Sequence, residues 1–202
     1  MKDYIFGLMA TDGFMDKYEG QDHNTYYAKL ELTDEQVIKD IADYFNIPYK
    51  HRMRIIKDKE RHFYSLVIPK KFFKGVEEAF RGNRDGLFDL YMASNKSDFI
   101  RGMFDGDGSV CSFNKGLRIT GVINSKHTDI LKIWEDFANE NGLYLYKYFD
   151  KRGSGSYNIS FNKKDSVNFI YNFMYSNNPK LFLKRKYNVF VKYGFPDLVT
   201  SQ

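Results

Sequence analysis

Two short stretches of the sequence decide what the rest of the chain can fold into. Residues Ile5 to Gly13 read IFGLMATDG, and residues Ile100 to Gly108 read IRGMFDGDG. Laid over one another they match Ile5 with Ile100, Gly7 with Gly102, Leu8 with Met103, Asp12 with Asp107 and Gly13 with Gly108. Each reads as an apolar helix with an internal glycine, ending in Asp-Gly. A glycine inside a helix costs roughly 1 kcal/mol relative to alanine, so two at matching positions call for a packing reason. Gly7 with Thr11, and Gly102 with Gly106, stand on one helix face, where small side chains let two backbones approach closely. Helices packed through those faces bring their C-terminal ends together. At those ends stand Asp12 and Asp107.

A carboxylate at a helix C-terminus sits at the negative end of the macrodipole, which favours cations. Two such carboxylates side by side ask for a positive charge between them. Carboxylate and backbone carbonyl oxygens suit a hard divalent ion such as Mg2+, so the paired ends read as a metal site. One Asp-Gly alone reads more readily as a helix stop or a turn. Its duplication, with the same internal glycine in each copy, favours the metal site.

The two stretches resemble the paired signature helices of the LAGLIDADG homing endonucleases, in a form with both copies in one chain. Gly7, Asp12 and Gly13 fit the family pattern in the first copy, and Gly102, Asp105, Asp107 and Gly108 fit it in the second. Ala10 departs from it, standing where the motif has its first Asp. The resemblance implies that this first acid is not a metal ligand, so the departure leaves the chemistry intact. It further implies metal ligation by Asp12 and Asp107 with the backbone carbonyls of Thr11 and Gly106. Mg2+ is the expected ion, with Mn2+ substituting and Ca2+ binding without supporting cleavage.

Composition narrows the setting. With 202 residues, 43% hydrophobic and 18% aromatic, the chain can build packed cores, which argues against disorder. A formal charge of +5 favours a polyanionic partner. Cys111 is the only cysteine, so there is no disulfide framework and no Cys-based zinc site, as suits a reducing compartment. No apolar run approaches the ~20 residues that span a bilayer. The opening MKDYIFGLMA has an acid and a glycine where a signal sequence is basic and then apolar. The expectation is an intracellular protein without a membrane partner, in the cytoplasm of a bacterium or phage-infected cell, or in an organelle.

After Gly13 come two strand-like runs around the turn-rich Glu19 to Asn24, with Ala28, Leu30 and Leu32 alternating against Tyr27, Lys29 and Glu31. Thr33-Asp34-Glu35-Gln36 fits a capping box, opening a helix with Val37, Ile38, Ile41, Ala42 and Phe45 on one face. HRMRIIK and HFYSLVI read as a hairpin, PKKFFKGVEEAF as a further amphipathic helix, and Arg81 to Lys96 as the connection between halves. Ser97 then reads as the N-cap of the second signature helix, Asp98 to Asp105. From there the order repeats, with SVCSFN and LRITGVIN turning through Lys115-Gly116 and a helix from about Thr128 to Asn139. LYLYKYF and YNISFN make the last hairpin, around the basic tip Lys151 to Gly155. Ile38, Ile41 and Phe45 match Ile130, Ile133 and Phe137 at one constant offset, so the repeat extends beyond the signature. The pattern predicts an α+β fold, a pseudo-twofold tandem repeat of α-β-β-α-β-β-α units with halves 1–94 and 95–202. Two antiparallel sheets would form a saddle for double-stranded DNA, in a chain that stays a monomer because duplication supplies the interface internally.

The residues alternating away from the core are the candidate DNA contacts. In the first half these are Lys29, Glu31, Arg52 and Arg54; in the second, Arg118, Thr120, Asn124, Tyr146, Tyr148, Asn158 and Ser160. Such side chains suit both base edges and phosphates. LFLKRKYNVF resembles the family's basic segment after the last hairpin, and by position Lys184 is placed near the scissile phosphate, with Lys186 its near neighbour. Lys70 and Lys71 are the first-half candidates, and Asp34 is a candidate for ordering water. His23, His51, His62 and His127 show no ligand or triad spacing. The leading expectation is a site-specific endonuclease making metal-dependent double-strand breaks. Its rivals are a maturase binding intron RNA and a DNA-binding regulator that does not cut.

Overall fold

The structure is a computed structural model that describes residues 1–17 and 26–197. The turn expected over Glu19 to Asn24, with His23, lies outside the described residues. The first signature folds as helix α1 (Lys2–Thr11), followed by strands β1 (Gly13–Lys17) and β2 (Tyr26–Leu32), helix α2 (Glu35–Phe45) and strands β3 (Lys50–Ile56) and β4 (Lys59–Ile68). Two 3-10 turns, Lys70–Phe73 and Glu77–Phe80, and a short helix α3 (Leu87–Ala93) lead to α4 (Lys96–Asp107), the second signature. The order then repeats as β5 (Gly108–Phe113), β6 (Gly116–Asn124), α5 (Thr128–Glu140), β7 (Tyr146–Asp150), β8 (Ser156–Phe161), α6 (Lys164–Tyr175) and α7 (Lys184–Lys192).

The fold is α+β, as expected. Its two four-stranded sheets have matching orders, β1-β2-β4-β3 and β5-β6-β8-β7, and every pairing is antiparallel. Register follows the apolar alternation: Ala28 pairs with Ile68 and Leu30 with Leu66 on the covered face, while Lys29 pairs with Val67 on the other. A slip of one residue would turn the whole set outward.

Helices α1 and α4 lie side by side at the centre, and burial runs unbroken from Tyr4 to Ala10 and from Phe99 to Asp105. A helix buried on every side lies within a core, and the two charged residues of the α4 run, Arg101 and Asp105, are hydrogen-bonded there. The internal glycines permit the approach. A Cβ on Gly7 would lie 2.0 Å from the Phe99 carbonyl oxygen, and one on Gly102 would lie 2.1 Å from that of Tyr4.

Four local expectations are corrected. The capping box at Thr33 does not form: Asp34 is the N-cap of α2 but makes no side-chain cap bond, and its carboxylate takes Arg185 instead. PKKFFKGVEEAF is not one helix, because it breaks into the two 3-10 turns at Gly75, whose φ of 85° is left-handed. The second signature helix starts earlier than expected, since Asn95 rather than Ser97 accepts the Asp98 amide, and Ser97 donates to the Phe173 carbonyl. The connection between halves contains α3, which leans on the second half: the Phe88 amide donates to Asp129 at 3.1 Å, and Lys132 sits 3.7 Å from the Phe88 ring centroid. No helix among the described residues is long and apolar enough to cross a membrane.

Candidate active site

The two signature ends meet. A Cβ on Gly106 would come within 1.9 Å of Thr11 Oγ1 and 3.5 Å of the Asp12 carboxyl carbon, so the α1 terminus rests on the bare backbone of α4. Burial raises the Asp12 pKa to about 6, and the charge of Asp107 adds to the rise; Lys186, Arg185 and Arg84 oppose it. Burial also raises Asp107, against Lys186 and Arg84. Among the described residues no three His, Cys, Asp or Glu side chains converge on one point. A divalent ion here would therefore depend on the two acids together with main-chain and substrate oxygens. Two desolvated carboxylates, one of them raised further by the charge of the other, suit that donor set.

One buried cation covers each helix end. Lys186 Nζ donates to the carbonyls of Phe104 at 2.7 Å, Asp105 at 2.6 Å and Gly106 at 2.9 Å. The Gly106 oxygen, an expected metal ligand, thus already accepts from an ammonium. Burial lowers the Lys186 pKa to about 8, while Asp105, Asp12 and Asp107 hold its proton on. In the first half Arg84 donates to the carbonyls of Met9 at 2.9 Å and Gly13 at 3.4 Å. Met9 corresponds to Phe104 in the repeat, so Arg84 and Lys186 occupy related places. Arg84 has φ 65°, an uncommon backbone outside glycine, and its amide is held 2.7 Å from the Arg81 carbonyl.

Asp105 is fully buried. Its Oδ2 accepts from the Tyr4 hydroxyl at 2.9 Å and the Leu183 amide at 2.8 Å. Burial raises its pKa to about 6, against the Leu183 amide, Lys186, the Tyr4 hydroxyl and Arg101. Through Leu183 it ties down the start of α7.

Lys184, the first residue of α7, faces solvent, and Lys186 is the lysine turned to the acid pair. Lys70 and Lys71 are also exposed. Arg84 was missed by sequence reading, because it lies in a stretch broken by Gly82, Asn83 and Gly86 with no periodicity to assign it a direction. Asp34 reaches across the halves to Arg185 at 2.8 Å. Beside Asp107, a cleft of about 460 Å³ is lined by Thr11, Arg84, Asn124, His127 and Trp134. His51 and His62 face each other on β3 and β4, with 2.8 Å between Nε2 and Nδ1.

Register puts Lys29, Glu31, Arg52 and Arg54 together on the uncovered face of the first sheet. Arg118, Thr120, Asn124, Tyr146, Tyr148, Asn158 and Ser160 share that of the second. Glu31 binds Lys29 at 3.0 Å and Arg54 at 3.1 Å. Its burial is outweighed by the Lys29 hydrogen bond and the charges of Lys29, Arg54 and Arg52, which lower its pKa.

Solved structures share this fold. The homing endonuclease I-WcaI bound to its DNA recognition sequence superposes with a TM-score of 0.65 at 17% identity, over 92% of this chain and 84% of its own. The fold is that of the single-chain LAGLIDADG homing endonucleases. I-DmoI in complex with DNA and Ca matches the LAGLIDADG fold seen here with a TM-score of 0.59 at 16% identity, covering 94% of this chain and 96% of that one. It has also been solved with DNA and Mn. The meganuclease I-SmaMI bound to uncleavable DNA gives 0.57 at 12% identity, over 95% of this chain and 88% of its own. No protein-family model matches the sequence, and no curated protein matches it significantly.

Proposed function

We propose that the protein is a site-specific, divalent-metal-dependent DNA endonuclease, acting as a monomer of two halves, 1–94 and 95–202, on double-stranded DNA with Mg2+. The observation that carries this reading is the acid pair. Asp12 and Asp107 are brought together at the adjoining ends of α1 and α4, where each helix runs into the first strand of its own sheet. The DNA-bound state of I-WcaI, I-DmoI and I-SmaMI supports it, as do the Ca and Mn complexes of I-DmoI.

Asp12 and Asp107 would hold the metal, with the Thr11 and Gly106 carbonyls beside them. A divalent ion in such a site polarises a phosphodiester, acidifies a water and stabilises the leaving oxygen. Lys186 is poised at the same helix end, with its proton held by three acids. Its charge, and that of Arg84 at the other end, would stabilise negative charge developing on a phosphate. Lys184, exposed on the first turn of α7, would contact the backbone farther out.

The test is cleavage of a pooled library of long random duplexes in Mg2+, with the cut ends sequenced, using wild type, Asp12→Asn and Asp107→Asn. Expected are ends at one extended motif, falling by about 10³-fold or more in either variant while binding in Ca2+ persists. Sequence-specific binding without ends would favour the non-cutting regulator, and retention of intron RNA alone would favour the maturase.

A further inference from the structure

The two uncovered sheet faces occupy equivalent places in the repeat but differ in chemistry. On β3 and β4, the side of the first sheet away from β1, register puts Lys50, Arg52, Arg54, Lys59 and Arg61 on the uncovered face, together with Ile56 and Phe63. Of these, only Arg54 is ion-paired among the described residues, to Glu31. The same face of β7 and β8 carries Tyr146, Tyr148, Asp150, Ser156, Asn158 and Ser160, with no cation among them. Asp150 is tied to Arg152 of the hairpin tip at 2.6 Å. Next to them β6 presents Val122, 55% exposed, opposite Asn158, and Tyr148 is 64% exposed. Arg118, the cation of this face, is stacked 4.7 Å from the Phe113 ring centroid at the far turn.

These sets recognise different partners. Guanidinium groups pair with the O6 and N7 edge of guanine, and each phosphate neutralised by a cation steepens the salt dependence of binding by about 0.9. Asparagine pairs with adenine, apolar side chains contact the thymine methyl, and neither releases counterions. Exposed apolar residues of this face, Phe14 on β1 and Val67 at the end of β4, flank Lys29, on the side of the sheet where β1 leaves Asp12, so the contrast belongs to the outer base pairs.

We infer that the outer base pairs of the two half-sites differ in kind: those under β3 and β4 are G·C-rich and gripped through phosphates, and those under β7 and β8 are A·T-rich and read by neutral groups. The inference rests on the endonuclease reading above.

Duplexes selected from a random library for binding in Ca2+ would test it. The expected result is one G·C-rich and one A·T-rich outer segment. Arg52→Gln and Arg54→Gln should each relax only the G·C-rich segment and weaken binding about tenfold or more, whereas Lys50→Gln and Lys59→Gln should weaken binding to every sequence alike and each lower the slope of log affinity against log salt by about 1. Tyr148→Ala and Asn158→Ala should relax only the A·T-rich segment and leave that slope unchanged. All six side chains lie on a sheet face away from the helices, and circular dichroism checks that each variant is folded. Equal composition in the two segments, or a slope lowered alike by variants of both sheets, would overturn the inference and leave the endonuclease reading standing. Failure to enrich any duplex would overturn both.

Discussion

The C-terminal ends of α1 and α4 are written by one repeated pattern and held by different chemistry. At the α1 end the position matching the motif's first acid is Ala10, and the cation is Arg84, arriving from a strained turn. At the α4 end that position is Asp105, and the cation is Lys186, arriving on α7. A guanidinium spreads its charge over several donors, whereas an ammonium is a compact, strongly hydrated charge. Buried, the ammonium needs a counter-charge nearby, and Asp105 supplies it while anchoring the α7 start. The repeat thus keeps a terminal acid and an overlying cation at each end, but not the means of holding that cation.

The largest effect should come from removing the cations. Lys186→Met leaves the carbonyls of Phe104, Asp105 and Gly106 without their ammonium and takes a counter-charge from buried Asp105, and should destabilise by on the order of 3–5 kcal/mol. Arg84→Met, with no acid at Ala10 to strand, should cost about 1–3 kcal/mol. Urea unfolding of both variants measures the difference, and equal losses would break the comparison.

Titration comes next. Burial raises Asp105 from 3.8 to about 6 in the folded chain. Across that window the folded state holds more protons than the unfolded one, so stability falls as pH rises from about 4 to about 6. Asp105→Asn should remove a loss of on the order of 3 kcal/mol from the metal-free pH profile. An unchanged profile would mean that Asp105 carries no such penalty.

A smaller effect is expected of Tyr4→Phe, which deletes one hydrogen bond to the Asp105 carboxylate. Its cost should be about 1.5 kcal/mol. Although Tyr4 belongs to α1, that cost should vanish in an Asp105→Ala background, where the α4 end no longer uses the hydroxyl. The smallest is the bridge between Asp34 and Arg185, whose partners have side chains 19% and 56% exposed. A double-mutant cycle should give about 0–1 kcal/mol of coupling, shrinking in salt.

Much of this molecule follows from local rules. The contact of α1 with α4 was legible because a glycine repeated inside an apolar helix has few uses other than close approach, and the Gly7 and Gly102 clearances bear this out. The sheets were legible because alternation over Ala28 to Leu32 and Leu117 to Ile123 sets which side chains face the helices. The capping box at Thr33 misled, because the N-cap falls one residue later, at Asp34, and the two side chains of the box take other partners: the Thr33 hydroxyl donates to Asp34 and the Gln36 amide to Asp40.

What the sequence determined by itself was the repeat, the pairing of the two signature helices and the alternating faces of the sheets. Each is periodic, and a period survives without knowledge of distant contacts. Only the tertiary structure decided which cation meets which helix end. Arg84 stands 75 residues from its carbonyl partner Met9, and Lys186 stands 82 from Phe104. Long-range electrostatic partners leave no local pattern, because their positions depend on how every intervening element packs.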